Sequence, residues 1–266
     1  DRFFNEERPD YVFLCAAKVG GILANSTLPA DFIRENLLIQ TNVIDAAYRN
    51  GASKLLFLGS SCIYPRAAPQ PMKEEYLLTG PLEPTNEAYA VAKLAGISLC
   101  QSYRRQFGFP SISLMPTNLY GPQDNFDLES SHVLAALIRK FHDAVVSGSK
   151  EVVIWGSGAP LREFLFIDDL AEAAVFLMDQ YDDETIINVG TGEDLSVQEL
   201  ALIIKEISGF SGELRNDLTK PDGMPRKLMD VTKINNLGWR AKTNLKSGIE
   251  QTYRWYGNQS ISRGRQ

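Results

Sequence analysis

Short, wholly apolar runs alternate along this chain with longer stretches of helical period. Residues 11–17, "YVFLCAA", are the first such run and read as a strand. Residues 30–52 place Phe32, Ile33, Leu37, Val43, Ile44 and Ala47 at mostly helical spacing, with Gly51 as a stop. "KLLFLGSS", 54–61, predicts a second strand. A helix over 86–108 ends at Gly108, and "SISLMP", 111–116, predicts a third strand closed by Pro116. Strands that are apolar throughout have both faces covered by helices. The order strand, helix, strand, helix, strand therefore predicts an α/β fold with a doubly wound parallel sheet of Rossmann type.

Beyond residue 120 the pattern loosens. Helices are expected over 132–146 and 196–209, the latter opened by a Ser196–Glu199 capping box. Strands are expected at 151–158 and 186–192. A strand within 162–180 feeds a helix capped by Asp168 or Asp169. A short strand and a last helix complete a smaller α/β part, and 260–266 read as a frayed tail. The expected division is 1–119 with 163–190, and 120–162 with 191–266.

Ligands of such sheets bind beyond the carboxyl ends of the strands. Those ends read "AAKVGG" (16–21), "GSSCIYP" (59–65) and "PTNLYGP" (116–122), so all three are expected to line one crevice. Net charge is −6, with acids and bases interspersed, which excludes the broad basic face of a nucleic-acid binder. Cys15, Cys62 and Cys100 show neither metal-ligand spacing nor a disulfide framework, so no metal is expected and a reducing cytoplasm fits best. No apolar run reaches membrane-span length.

Tyr89 and Lys93 in "NEAYAVAK" share one helix face. An ammonium beside a phenol favours the phenolate and readies it for proton exchange with a carbonyl or hydroxyl. The pair alone fits a solvated helix face equally well. Ser60, at a strand end facing the crevice, adds a hydroxyl that can bond the same substrate oxygen; it is otherwise a turn serine.

Serine followed by Tyr-x-x-x-Lys on this sheet order resembles the short-chain dehydrogenases/reductases. "WGSGAPLREFLFIDDLAEA" and "NVGTGEDLSVQEL" resemble the extended, nucleotide-sugar branch. "GSSCIYP", "LEPTNEAYAVAKLAGI", "MPTNLYGPQDNF", "SHVLAALIRKFH" and "KPDGMPRKLMDV" together are similar to the GDP-L-fucose synthase family, over nearly the whole chain. That resemblance implies NADP(H), a GDP-sugar substrate, 3,5-epimerisation of a 4-keto sugar and reduction of the ketone. It implies Cys62 as base, His132 as acid, Tyr89 as proton donor with Ser60 beside it, and Lys93 holding the nicotinamide ribose and the Tyr89 pKa down. Leu58, Gly59, Ser60, Ser61, Lys93, Pro116, Thr117, Asn118, Leu119 and His132 would line the cofactor. Lys140, Trp155, Arg162, Asp222 and Lys227 would meet the nucleotide sugar. His142 falls outside this set and reads as a surface residue. Without the resemblance, Cys62 reads as a small buried hydrophobe and His132 as a helix-terminus residue.

The family implies a homodimer joined by a four-helix bundle, for which the helices at 30–50 and 86–107 are the candidates. It also opens with a strand and a G-x-x-G-x-x-G loop that this sequence lacks, so a preceding segment of on the order of 50 residues, about two βα units, is expected. Competing readings are a sibling reductase or 4-epimerase on a nucleotide sugar, and a non-catalytic relative that only binds one. A dehydratase is disfavoured because Cys62, not an acid, follows Ser60 and Ser61.

Overall fold

The computed structural model describes residues 2–220 and 222–263. In chain order these form α1 (Arg2–Glu7), β1 (Tyr11–Leu14), α2 (Ile22–Thr27), α3 (Pro29–Arg49), β2 (Lys54–Leu58), α4 (Glu87–Phe107), β3 (Ser111–Pro116) and β4 (Asn118–Tyr120). Then come α5 (Val133–Ser147), β5 (Glu151–Trp155), β6 (Leu161–Phe166), α6 (Ile167–Gln180), β7 (Ile187–Val189), β8 (Asp194–Ser196) and α7 (Val197–Ser208). β9 (Glu213–Asp217), β10 (Arg226–Lys227), α8 (Thr232–Asn236) and α9 (Leu245–Arg263) close the chain.

The first sheet runs β1-β2-β3-β7, every neighbour parallel. Its alternate side chains divide two cores. Leu55 and Phe57 of β2 join Ile44 and Ala47 of α3 and Ile97 and Cys100 of α4. Leu56, between them, joins Leu170, Ala173 and Leu177 of α6 on the opposite face. Burying the Leu, Ile and Phe side chains among them stabilises the fold by about 1.5–3 kcal/mol each. α3 and α4 pack together at Gly96, where a Cβ would lie 2.4 Å from the Phe57 ring and 2.7 Å from Gln40 Oε1. Gln40 Nε2 donates to the Ala92 carbonyl at 2.7 Å. α4 stops at Gly108, whose φ of +67° suits the left-handed cap.

Directly after β3 the chain leaves this sheet. β4 pairs instead with β6, which also carries β10 in parallel and β8 in antiparallel. β5 and β9 form a separate parallel pair. A third core gathers Phe141 of α5, Leu200 and Ile204 of α7, Ile154 of β5 and Ile249 of α9. Met229, Ile234 and Trp239 return to the cores of the first sheet.

Several expectations are corrected. The first run pairs only over Tyr11–Leu14, and Tyr11 and Phe13 are exposed because they alternate with Val12 and Leu14 onto the face of β1 away from the α3 core. Neither Asp168 nor Asp169 caps α6: β6 feeds into the helix without a turn, so both acids lie in its first turn, where the helix dipole favours them. Asp169 instead accepts from the Thr243 N–H at 2.9 Å. The region 228–239 pairs only through a Met72–Met229 bridge and holds the short helix α8. α9 extends through Arg263, so part of the expected tail is helical; 264–266 lie outside the described residues. His142 is half-buried, its ring edge-on to Tyr253 and Tyr256. The capping box is present, with Ser196 and Glu199 bonding each other's backbone N–H. No helix among the described residues is long and apolar enough to cross a membrane.

Candidate active site

A cavity of about 590 Å³ opens where the carboxyl ends of β2 and β3 face the second sheet. The three expected strand-end segments all contribute, through residues 19–21, 59–62 and 116–122. Tyr89, near the start of α4, and His132, immediately before α5, lie in the same wall. Ser61, Pro116, Thr117, Asn118 and Leu119 line it as the sequence implies.

Ser60 sits at the centre of the polar groups. It is extended, at the head of a short 3-10 turn, and its Oγ accepts the Cys62 N–H at 3.4 Å. Its hydroxyl also lies beside the Tyr89 and Cys62 side chains, where it favours the ionised form of each. Burial pushes the Tyr89 phenol well above its usual range, the neighbouring Cys62 adds to that, and only the Ser60 hydroxyl opposes it. Lys93 therefore does not hold the phenol down as expected. Its Nζ lies 5.8 Å from the Tyr89 ring and 4.9 Å from the Phe57 ring, and it donates to the Leu58 carbonyl at 2.7 Å. Buried beneath the cavity, Lys93 has its own pKa lowered to about 8, by burial first, against the pull of Cys62 and Cys15. Leu58 and Lys93 form the floor below the lining rather than part of it.

Cys62 is buried, and burial pushes its thiol up even though Lys227, Ser60 and Lys93 all favour the thiolate. His132 is held below the ordinary histidine value by the surrounding wall and then by the Lys227 charge. Its side chain is nevertheless exposed at the cavity, which tempers that drop. The surroundings thus favour the thiol of Cys62 and the neutral imidazole of His132.

The far end of the cavity is cationic. Lys140 donates to the Val153 carbonyl at 2.9 Å and stands 5.0 Å from the Trp155 ring centroid. Arg162 is anchored on the Leu161 carbonyl at 2.8 Å and reaches the Asp222 carbonyl at 3.3 Å. The Asp222 carboxylate is spent on Ser157, accepting its N–H at 2.7 Å and its hydroxyl at 2.8 Å. Asp222 therefore shapes the loop beside Trp155, and the charges left for a ligand are Lys140, Arg162 and Lys227. Burial lowers the pKa of all three, as expected of cations that lack a full set of partners.

Sequence reasoning missed several lining residues: Asn25 on α2, Glu83 and Asn86 before α4, and Ser131. Asn86 and Ser131 adjoin the recognised Tyr89 and His132, and that adjacency was the available signal. Asn25 had none, because "GILANSTLPA" is too rich in small and polar residues to announce a helix. It also missed Glu163. This fully buried carboxylate accepts the Thr191 N–H at 2.6 Å, the Gly192 N–H at 2.8 Å and the Met229 N–H at 2.8 Å, and burial raises its pKa despite them. Its main-chain carbonyl accepts from Asn118 Nδ2 at 2.7 Å, so it ties β4, β6, the turn after β7 and residue 229 together beneath the cavity.

Known proteins are similar to this chain in sequence and fold. The sequence profile of the NAD dependent epimerase/dehydratase family matches residues 1–190. A probable GDP-L-fucose synthase 1 of Oryza sativa subsp. japonica is 62% identical over 98% of this chain and 80% of its own. The GDP-L-fucose synthase of Escherichia coli K12 is 53% identical over 98% of this chain and 85% of its own. The crystal structure of a GDP-L-fucose synthetase from Naegleria fowleri bound to NADP superposes with a TM-score of 0.91 at 30% identity, over 98% of this chain and 81% of that one. A GDP-6-OMe-4-keto-L-xylo-heptose reductase from Campylobacter jejuni gives 0.91 at 42%, over 97% of this chain and 85% of that one. The chain belongs to the NAD dependent epimerase/dehydratase family, in its GDP-L-fucose synthase branch.

Proposed function

We propose that this chain converts GDP-4-keto-6-deoxy-D-mannose to GDP-L-fucose with NADPH, by 3,5-epimerisation followed by reduction of the 4-ketone. The observation that carries the reading is the convergence of Ser60, Cys62, Tyr89 and His132 in one cavity, in a chain so similar to GDP-L-fucose synthases.

The residues fit the nicotinamide end of NADP(H). The carboxyl ends of two parallel strands open there, and an ammonium below has one carbonyl as its hydrogen-bond acceptor. Leu58–Ser61, Lys93, Pro116–Leu119 and His132 are the residues assigned to hold it. When bound, NADPH supplies the hydride for carbon 4. Tyr89, kept protonated by burial, holds the proton for the ketone oxygen, and Ser60 fixes both that phenol and the oxygen it serves. For inversion next to the ketone, Cys62 must give up its proton and His132 must hold one. Lys227 and Lys93 pull the thiol toward the thiolate, while burial opposes them. Lys140, Arg162 and Lys227 receive the diphosphate and Trp155 the adjoining nucleotide, with Asp222 setting the loop.

The first sheet with its helices forms the cofactor part and the remainder the sugar part, except that residues 229–239 return to the first. The reading includes a homodimer in which α3 and α4 of two subunits make a four-helix bundle; exposed Leu38 and Val91 on those helices support it. It also locates the protein in the cytoplasm, where Cys15, Cys62 and Cys100 stay free. The test follows NADPH absorbance with GDP-4-keto-6-deoxy-mannose and identifies the product. GDP-L-fucose supports the reading. Reduction without inversion would leave a sibling reductase, and no oxidation with retained GDP-sugar binding would leave a binding relative.

A further inference from the structure

Among the described residues, five buried side-chain polar atoms have no hydrogen-bond partner: Asn25 Oδ1, Glu83 Oε2, Asn86 Oδ1, Ser131 Oγ and Trp239 Nε1. Such atoms are costly, so a folded protein keeps few of them and each calls for a reason. Four of the five belong to residues that line the cavity, Trp239 being the exception. Glu83 is compensated by Arg66, whose Nε lies 3.2 Å from Oε2. Asn25, Asn86 and Ser131 remain.

These three come from neighbouring elements. Asn25 Nδ2 donates to the Gly20 and Gly21 carbonyls at 2.7 and 3.1 Å, which fixes its amide so that Oδ1 is the free end. The Gly21 N–H donates to the Ser130 carbonyl at 2.8 Å, and a Cβ on Gly21 would come within 2.7 Å of the Ser131 carbonyl. α2 packs on the turn that holds Asn86. Asn86 stands at the N-cap of α4 yet its side chain caps nothing. Tyr89 follows it by one helical turn, and His132 follows Ser131 directly.

We infer that Asn25, Asn86 and Ser131 form a subsite that grips neighbouring hydroxyl groups of the hexose ring and so sets which sugar the cavity accepts. The inference rests on the proposed function and goes further in naming what reads the sugar. Two amide oxygens and a serine hydroxyl ask for donors, with the hydroxyl also able to give one hydrogen bond. A phosphate offers only acceptors and is repelled here; it belongs with the cations at the far end. A ring bearing adjacent hydroxyls supplies donors and acceptors together. Bound in this corner, it sits against Tyr89 and His132, the two residues assigned to deliver protons to it.

The test uses the full-length protein with Asn86→Ala and Ser131→Ala. Neither deleted atom makes a hydrogen bond inside the protein, so the thermal midpoint should hold or rise. Affinities for GDP, GDP-L-fucose and NADPH are measured by calorimetry. The wild-type protein should bind GDP-L-fucose more tightly than GDP. Each variant should lose about three- to tenfold of that advantage, one hydrogen bond's share, with GDP and NADPH affinity unchanged. Variants that keep the full advantage overturn the inference and leave the function reading standing. A loss confined to NADPH also overturns it, because the groups then serve the cofactor. A wild-type protein that neither prefers GDP-L-fucose nor oxidises NADPH overturns the function reading, and this inference with it.

Discussion

Ser60 touches both halves of the proposed chemistry, and its neighbours differ in which protonation state their surroundings favour. Tyr89 and Cys62 are pushed up by burial, Lys93 and His132 down. Lys93 is charged below about pH 8 and neutral above it. If its charge is needed, kcat/KM, which reports the free enzyme, falls on the alkaline side with an apparent pKa near that value. Lys93→Arg keeps its charge throughout, so the alkaline limb should vanish even if the overall rate drops. Cys62→Ser should separate the two reactions. In D₂O, deuterium entry at carbons 3 and 5 should fall by about two orders of magnitude or more, the scale of a lost general base. Reduction of a sugar already inverted should continue.

At the scale of the element, what the sequence announces is what local periodicity controls. The apolar run of β2 and the cap at Gly108 were both legible because each depends on neighbours in the chain. The burial of Lys54 was not. Its Nζ donates to the Met178 and Tyr181 carbonyls at 2.6 and 2.7 Å, which ends α6 with a cation from a strand more than a hundred residues earlier. The candidate site divides in the same way. Tyr89 and Ser60 offered a pairing that the residues left open, Cys62 and His132 were legible only through the family resemblance, and Asn25 and Glu163 matter only through contacts that no spacing encodes. At Gly96 α4 lies close to both Gln40 of α3 and Phe57 of β2. Gly96→Val should lower stability by about 1–3 kcal/mol, measured by urea unfolding, because the Phe57 ring and Gln40 must both give way. If α3 and α4 also carry the dimer, the same variant should weaken self-association in sedimentation.

For the whole molecule the question is what keeps two sheets and three cores in one arrangement around the cavity. β3 and β4 are separated by Thr117 alone, and its N–H donates to the Val189 carbonyl at 3.0 Å as the chain passes between sheets. Glu163 then gathers the loops beneath that crossing. Glu163→Met should leave the Thr191, Gly192 and Met229 N–H groups without their acceptor and cost about 3 kcal/mol or more. Hydrogen exchange should show the loss first in the turn after β7. Closely similar stability in the variant would mean that the clamp is redundant.

The acceptor that holds Lys93 is the main-chain carbonyl of Leu58, the last residue of β2, two residues ahead of Ser60. No change of side chain at 58 can delete a carbonyl. Drift at that position can alter size and greasiness while the ammonium stays tethered to the strand that delivers the serine. The spacing between the two reacting groups is thereby inherited from the peptide chain itself, and natural variation can retune the pocket around them without ever losing their alignment.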